Sequence, residues 1–142
     1  HVFTRGAGHQ QLAARLGAEV VGRAEDASPD SLHGAIIFAP AGELVPMALR
    51  ALRKGGTVAL AGIHMSPIPE MDYSLLYGER TLRSVANSTR RDAAELLELA
   101  AEIPIETEVE AFEFEDLNEA LVRLKEGSID GAGALNVGPS RE

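Results

Sequence analysis

The strongest hydrophobic pattern, between residues 34 and 66, predicts a strand, a helix and a second strand. Residues 36–39 form an apolar run without alternation, as in a strand that is buried on both faces of a parallel sheet. Over residues 43–54 the apolar positions recur at helical spacing, and Gly55-Gly56 supplies a left-handed stop. Residues 57–61 form a second buried run. Two buried strands joined by one helix predict a parallel, right-handed βαβ crossover.

Shorter patterns extend the alternation of strands and helices on both sides of this crossover. The other predicted elements, in chain order, are strand 2–5, turn 6–8, helix 10–16, strand 19–22, a surface connection or a single helical turn at 24–32, loop 66–69, a short helix at 72–77 that Asp72 caps, edge strand 81–86, helix 92–102, strand 107–111, helix 115–126 and strand 132–137. This order predicts an α/β fold with a mostly parallel sheet.

The acidic segment after residue 102 has a pattern of its own. Thr107, Val109 and Ala111 alternate with glutamates, which predicts a half-exposed strand. The alternation slips at residues 111–112, where we expect a bulge or a bend. The inward positions of the next helix, which Gly127 ends, are expected to be Leu117, Ala120, Leu121 and Leu124.

The composition narrows the range of functions. A chain of 142 residues with 45% hydrophobic and 25% charged residues is typical of one soluble globular domain. A formal charge of −9 argues against binding to nucleic acid or to an anionic membrane. No apolar run approaches the roughly 20 residues that cross a bilayer, and no signal peptide is visible, so we expect a cytoplasmic protein. Without cysteine, these residues form no disulfide and offer no thiolate to a metal.

Two tripeptides follow the buried strands of the crossover. In open α/β sheets, ligands bind beyond the carboxyl ends of the strands, which here are Phe38-Ala39-Pro40 and Gly62-Ile63-His64. These six residues are candidate ligand contacts. His64 would lie in the cleft, although a lone histidine is also common as a hydrogen-bonded bystander.

Two basic positions point to phosphate binding. Arg90 and Arg91 open a helix, where the positive end of the dipole disfavours cations unless an anion lies there. The alternative is that Asp92 neutralises a solvated pair. Thr4-Arg5 ends the first strand, and an arginine at this position in a dinucleotide fold accommodates a 2′-phosphate. The alternative is an exposed arginine at the end of a strand.

Other motifs for chemistry are weak or missing. Gly6 to Gln11 begins like the phosphate-binding glycine fingerprint, but Gln11 replaces its third glycine, so a plain turn is the alternative. No pair of histidines has the spacing of metal ligands, and the chain has neither an HExxH nor a GxSxG motif. We therefore identify no catalytic residue and no metal ligand.

Several short motifs occur in an order that is typical of one enzyme family. They are Val2-Phe3-Thr4-Arg5, Leu16-Gly17-Ala18, Ile36-Ile37-Phe38-Ala39-Pro40, Arg53-Lys54-Gly55-Gly56, Ala61-Gly62-Ile63-His64-Met65-Ser66, Ser84-Val85-Ala86-Asn87, Thr89-Arg90, residues 116–124 and residues 131–135. Together they span nearly the whole chain and resemble the medium-chain, zinc-dependent alcohol dehydrogenases.

The resemblance implies a partial Rossmann domain. Residues 1–87 would belong to the dinucleotide-binding domain, beginning at its second strand, and residues 88–142 would return to the catalytic domain. The catalytic domain and its zinc ligands would lie outside this chain, so zinc would act only in the parent enzyme and the chain by itself would be inactive. Residues 81–86, the edge strand, would pair with their twin in a homodimer.

The resemblance also implies roles for the candidate residues. Thr4 and Arg5 would lie by the adenosine ribose and favour NADP over NAD. The tripeptides at 38–40 and 62–64 would flank the nicotinamide. Arg90 would contact the pyrophosphate.

We therefore expect part of an oxidoreductase that transfers a hydride between NAD(P) and an alcohol or aldehyde. Two alternatives remain open. A zinc-free quinone or enoyl reductase of the same superfamily would carry the same motifs. A small, non-catalytic nucleotide-binding module would use residues 6–11 as its phosphate loop, which requires residues 2–5 to form the central strand of the sheet.

Overall fold

The computed structural model describes residues 1–138, in two compact units. Unit 1 contains residues 1–21 and the described residues from Ile103 onward, and unit 2 contains Gly22–Glu102. The helices and strands, in chain order, are β1 (Val2–Phe3), α1 (Ala7–Arg15), β2 (Val21–Gly22), β3 (Leu32–Ile37), α2 (Leu44–Ala51), β4 (Leu52–Leu60), β5 (Thr81–Ser84), α3 (Arg90–Glu102), β6 (Val109–Glu113), α4 (Leu117–Glu126) and β7 (Ala132–Asn136), with 3-10 turns at Ala24–Asp26, Tyr73–Leu75 and Phe114–Asp116. The α/β fold class is confirmed.

Unit 2 is built on a three-stranded parallel sheet with the order β3-β4-β5. Ile36 lies opposite Ala59, and Ala59 lies opposite Arg83. The helix α2 connects β3 to β4, which pair in parallel, so the predicted parallel βαβ connection is confirmed. β5 lies at an edge of this sheet, as expected.

The core of unit 2 lies between α2 and one face of the sheet. Val45 and Leu49 of α2 pack with three strand residues, Ile37, Leu52 and Val58. All five side chains are at most 7% exposed. Helical spacing of apolar residues on α2 therefore produces the buried face that its pattern predicts.

Only one face of β3 is buried, so the expectation of burial on both faces is wrong. Successive side chains of a strand point to opposite faces. Ile37 therefore joins the core, whereas Ile36 is 63% exposed. Phe38, which was predicted to lie inside the strand, follows its end and is 75% exposed.

The helix α2 ends at Ala51, earlier than the predicted glycine stop. Leu52 is extended and fully buried, and it lies opposite Leu32 in the sheet. Burial of Leu52 in the core therefore ends the helix. Gly55, with a φ of 74°, instead occupies the irregular stretch of β4 where the register with β3 shifts.

Two small sheets, β1-β2 and β6-β7, are formed by the described residues of unit 1, except that Gly22 of β2 is counted in unit 2. The strand β1 has a single neighbour in its sheet, β2, so it is not a central strand. This contradicts the non-catalytic module, which requires a central first strand. The helix α1 begins at Ala7, so the predicted turn at residues 6–8 is reduced to its first glycine.

The strands β6 and β7 pair in parallel without a break in register, from Val109 opposite Ala132 to Glu113 opposite Asn136. The bulge expected at residues 111–112 does not occur in this pair. Phe112 is buried while Val109 is 53% exposed, so the buried face is not the one that the alternation suggests.

Arg123 of α4 lies over the buried face of β6. Its guanidinium carbon lies 5.2 Å from the centre of the Phe112 ring, and it forms an ion pair with Glu110. Hydrogen bonding to Glu110 raises the pKa of Arg123. A polar side chain of α4 therefore covers the sheet where an apolar one was expected.

The helix α4 ends at Gly127 in the left-handed conformation (φ 69°), as predicted. Ala120 is partly buried. However, Leu117 is 37%, Leu121 53% and Leu124 63% exposed, so the prediction that these leucines face inward is wrong. The sheet β6-β7 therefore leaves much of the apolar side of the helix uncovered.

Candidate functional site

The loops that follow β3 and β4 begin side by side. The Ala61 N–H donates to the Ile37 carbonyl at 2.9 Å, which continues the parallel ladder beyond the end of β4. Phe38 and Gly62 then start the two loops. A Cβ atom on Gly62 would lie 3.1 Å from the His64 oxygen and 3.5 Å from the Phe38 oxygen, so the two backbones approach closely here.

Two hydrogen bonds hold these loops together. The Gly42 N–H donates to Ser66 Oγ at 2.8 Å, and the Ser66 N–H donates to the Pro40 carbonyl at 3.2 Å. Gly42 is buried, and a Cβ atom there would lie only 2.3 Å from the Pro67 oxygen. The backbone beside the candidate contacts is therefore fixed by glycine and serine.

The side chains at the two strand ends are exposed. Ile63 is 100% exposed and Phe38 75%, and Ala39, Pro40 and His64 are also exposed. The structure thus brings the tripeptides 38–40 and 62–64 together at the carboxyl edge of the sheet in unit 2. They offer an apolar surface, backbone groups and one imidazole.

The start of α3 is capped by its own side chains. The Thr89 N–H and hydroxyl donate to Asp92 Oδ2 at 2.6 and 2.8 Å, and the Asp92 N–H donates to Thr89 Oγ1 at 3.2 Å. These bonds from Thr89, first from its backbone, lower the pKa of Asp92. Arg91 pairs with Glu95 at 2.6 Å. Within residues 1–138, Arg90 forms no ion pair, so its charge is available at this helix start.

Thr4 and Arg5 follow β1 in unit 1, whereas the other candidate residues belong to unit 2. The Thr4 carbonyl accepts a hydrogen bond from Gln10 Nε2 at 2.7 Å. This bond ties the end of β1 to α1 and leaves Arg5 exposed.

The comparisons with known sequences find similar stretches in one class of enzymes. No protein-family model matches the chain. The probable alcohol dehydrogenase AdhA of Mycobacterium tuberculosis is 43% identical over 136 residues, which are 95% of this chain and 39% of that protein. An alcohol dehydrogenase of Rhizobium meliloti is 32% identical over 134 residues, or 89% of this chain and 39% of that protein. Over nearly its whole length, the chain is thus similar to one part of alcohol dehydrogenases. It spans about two fifths of the length of these relatives.

Solved structures agree with the alcohol dehydrogenase fold. Cinnamyl alcohol dehydrogenase of Sorghum bicolor has a TM-score of 0.82 at 21% identity, covering 96% of this chain and 40% of its own. Acetophenone reductase of Geotrichum candidum, in complex with NAD, has a TM-score of 0.77 at 26% identity, covering 94% and 40%. YhdH of Escherichia coli, with bound NADPH, has a TM-score of 0.77 at 16% identity, covering 96% and 46%.

Neither a metal cluster nor a membrane span occurs in the described part of this chain. Residues 1–138 contain no group of three or more His, Cys, Asp or Glu side chains that could hold a metal ion. No helix among them has the length and hydrophobicity that crossing a membrane demands.

Sequence reasoning missed Gly42 and Ser66, which position the loops of the site. The residue types did carry a signal, because serine hydroxyls often bond backbone N–H groups in turns and glycine allows close approach of another backbone. The partner could not be identified, since the two residues are 24 positions apart.

Proposed function

We propose that this chain forms the nicotinamide-binding part of an oxidoreductase that moves a hydride between NAD(P) and an alcohol or aldehyde. The observation that carries the proposal is the exposed, fixed edge formed by residues 38–40 and 62–64. Sequence similarity supports it, because the relatives are named alcohol dehydrogenases. The zinc-free reductase is not favoured by these names.

The residues at this edge fit a nicotinamide ring. The apolar side chains of Phe38 and Ile63 are exposed to water. Removing such surface from water stabilises a complex by roughly 25 cal/mol per Å². A flat ring against them would bury that surface, while nearby backbone groups could bond its carboxamide. When bound, NAD(P) supplies the hydride chemistry, and these residues bind and orient it.

The two arginines are proposed to contact phosphate. Arg90 would bind the pyrophosphate. Its charged neighbours are already engaged, because Asp92 accepts hydrogen bonds from Thr89 and Arg91 pairs with Glu95, and Arg90 has no ion pair in the described chain. Arg5, with Thr4, would lie at the ribose and favour NADP over NAD. One similar structure contains NAD and another NADPH, so either cofactor is compatible with the fold.

Zinc does not fit the described residues, because they contain no cluster of potential ligands. We therefore assign no zinc-dependent step to this chain and propose zinc only for a longer parent enzyme. The boundary at residue 87 between the cofactor-binding domain and the catalytic domain belongs to the same proposal. So does pairing of the edge strand at 81–86 with its twin in a homodimer.

The test is a fluorescence titration of the purified chain with NADPH and NADH, after circular dichroism has established that it is folded. We expect saturable binding of both cofactors, with NADPH bound more tightly. A folded chain that binds neither would overturn the proposal.

Variants identify the site. Arg5→Gln should weaken NADPH binding roughly tenfold but leave NADH unchanged, because a charged hydrogen bond is worth about 1.5 kcal/mol. Arg90→Gln should weaken both cofactors equally. Arg53→Gln is the matched control, since Arg53 is exposed at the opposite end of β4 and should have no effect. An equal loss in all three variants would indicate non-specific charge attraction instead.

A further inference from the structure

The segment between β5 and α3 places a backbone nitrogen against a side-chain amide. The Ser88 N–H donates to Asn87 Oδ1 at 2.8 Å. Oδ1 is bonded to the carboxamide carbon Cγ at about 1.2 Å, so the Ser88 nitrogen lies within about 4 Å of Cγ. Reacting atoms are poised for attack at about 3–3.5 Å, so the folded chain keeps this nitrogen close to the carbonyl carbon, which it can reach once its N–H proton is lost.

The backbone around this contact is irregular and open to water. Asn87 has a φ of 142°, which L-residues rarely adopt, so the segment belongs to neither a strand nor a helix. The Ser88 N–H makes no other hydrogen bond within the described chain. Residues 83–99 are all exposed, so water reaches the amide from outside.

The other two asparagines are held differently. Asn118 lies inside α4, where helical dihedral angles direct the following backbone nitrogen away from the side chain. The amide of Asn136 is engaged elsewhere, because its Nδ2 donates to Glu113 Oε2 at 3.2 Å and its Oδ1 accepts from the Gly138 N–H at 3.1 Å. Asn87 is thus the asparagine whose side-chain carbonyl is held against the nitrogen of its own neighbour.

We propose that Asn87 is a site of spontaneous deamidation through a cyclic imide. The Ser88 nitrogen bonds to Asn87 Cγ while the Cγ–Nδ2 bond breaks, and the proton of the Ser88 N–H leaves with the nitrogen as ammonia. Water then opens the five-membered ring at either carbonyl, giving aspartate or isoaspartate. The only co-reactant is water, and no oxidation or reduction occurs.

The product changes both charge and chain geometry before α3. A new carboxylate makes the formal charge one unit more negative than −9. Isoaspartate also lengthens the backbone by one carbon between β5 and α3. Both changes fall close to Arg90 at the start of the helix.

The test is mass spectrometry of the chain after incubation in mildly alkaline buffer, folded or unfolded in urea. Trypsin cleaves after arginine and lysine, so the three asparagines fall in separate peptides. In the folded protein we expect Asn87 to convert roughly tenfold faster than either other asparagine. Asn87 should also convert at least as fast in the folded protein as in the protein unfolded in urea. A folded-state rate for Asn87 no higher than those of Asn118 and Asn136 would overturn the proposal.

Two variants test the route. Ser88→Pro removes the attacking N–H and should abolish isoaspartate at position 87, whereas the control Ser88→Ala keeps the N–H and should keep the rate. Asn87→Gln needs a six-membered ring and should be almost inert, which checks the result if the proline disturbs the fold. Unchanged isoaspartate formation in Ser88→Pro would contradict a cyclic imide.

Discussion

Ser66 Oγ accepts a hydrogen bond from the buried Gly42 N–H at 2.8 Å, and this bond joins the two loops at the carboxyl edge of the sheet. The reverse contact, from the Ser66 N–H to the Pro40 carbonyl, completes the connection. The segments that we propose to bind the nicotinamide are therefore held by Gly42 and Ser66 beside them, together with the backbone carbonyl of Pro40.

Replacing Ser66 with alanine should leave the Gly42 N–H buried without a partner. We expect the free energy of unfolding, measured by urea denaturation, to fall by about 1–3 kcal/mol. Ser84→Ala is the control, because Ser84 is exposed and should change stability by less than about 0.5 kcal/mol. Equal effects of the two substitutions would show that the bond contributes little.

A methyl group at Gly42 should be poorly tolerated. Its Cβ would lie 2.3 Å from the Pro67 oxygen, so one of the two loops must move. We expect Gly42→Ala to lower the free energy of unfolding by about 1–3 kcal/mol. In Gly34→Ala the new Cβ would lie 3.6 Å from the Thr57 oxygen, an ordinary contact, so stability should change by less than about 1 kcal/mol. A larger loss in Gly34→Ala would contradict this explanation.

Arg80 should matter more to stability than its ionic partner, Asp30. The Arg80 side chain is 10% exposed, and it donates to the Leu52 carbonyl at 2.9 Å and the Tyr77 carbonyl at 3.1 Å. Asp30 is 68% exposed, so its charge is largely screened by water. In thermal or urea unfolding we expect Arg80→Met to cost about 2–3 kcal/mol and Asp30→Asn less than about 1 kcal/mol. Similar losses would mean that the ion pair, not the backbone contacts, dominates.

Acid should weaken the start of α3. Hydrogen bonds from Thr89 hold the pKa of Asp92 below the ordinary value of 3.8. A carboxyl group whose pKa is lower in the folded than in the unfolded state stabilises the fold at pH values above the unfolded-state pKa. This stabilisation is lost as the pH falls through the folded-state pKa. We expect Asp92→Asn to reduce the dependence of stability on pH below about 4, as measured by urea denaturation at several pH values. If stability falls with acid as steeply in the variant as in the unchanged protein, Asp92 does not contribute to it.

Local sequence patterns predicted the elements of unit 2 well. The spacing of Val45 and Leu49 gave the buried face of α2, and Asp72 caps a short turn through the Ser74 N–H at 2.7 Å, as expected. The type of an element depends mainly on hydrophobic periodicity and on nearby capping residues, and both are visible in one short segment.

Burial was predicted less well, because it depends on what covers an element. Ile36 and Leu124 belong to apolar patterns, yet both are exposed, while Arg123 covers Phe112. A pattern shows which face is apolar but not whether another element lies against it.

By itself, the sequence determined the α/β class, the crossover between β3 and β4, and the two strand ends that carry the candidate contacts. Only the tertiary structure decided that Gly42 pairs with Ser66, that Leu52 ends α2, and that Asn87 is held against its own neighbour. The physical reason is range. Periodicity and capping act within a few residues, whereas steric exclusion, burial and hydrogen bonds between distant loops depend on where the folded chain brings them together.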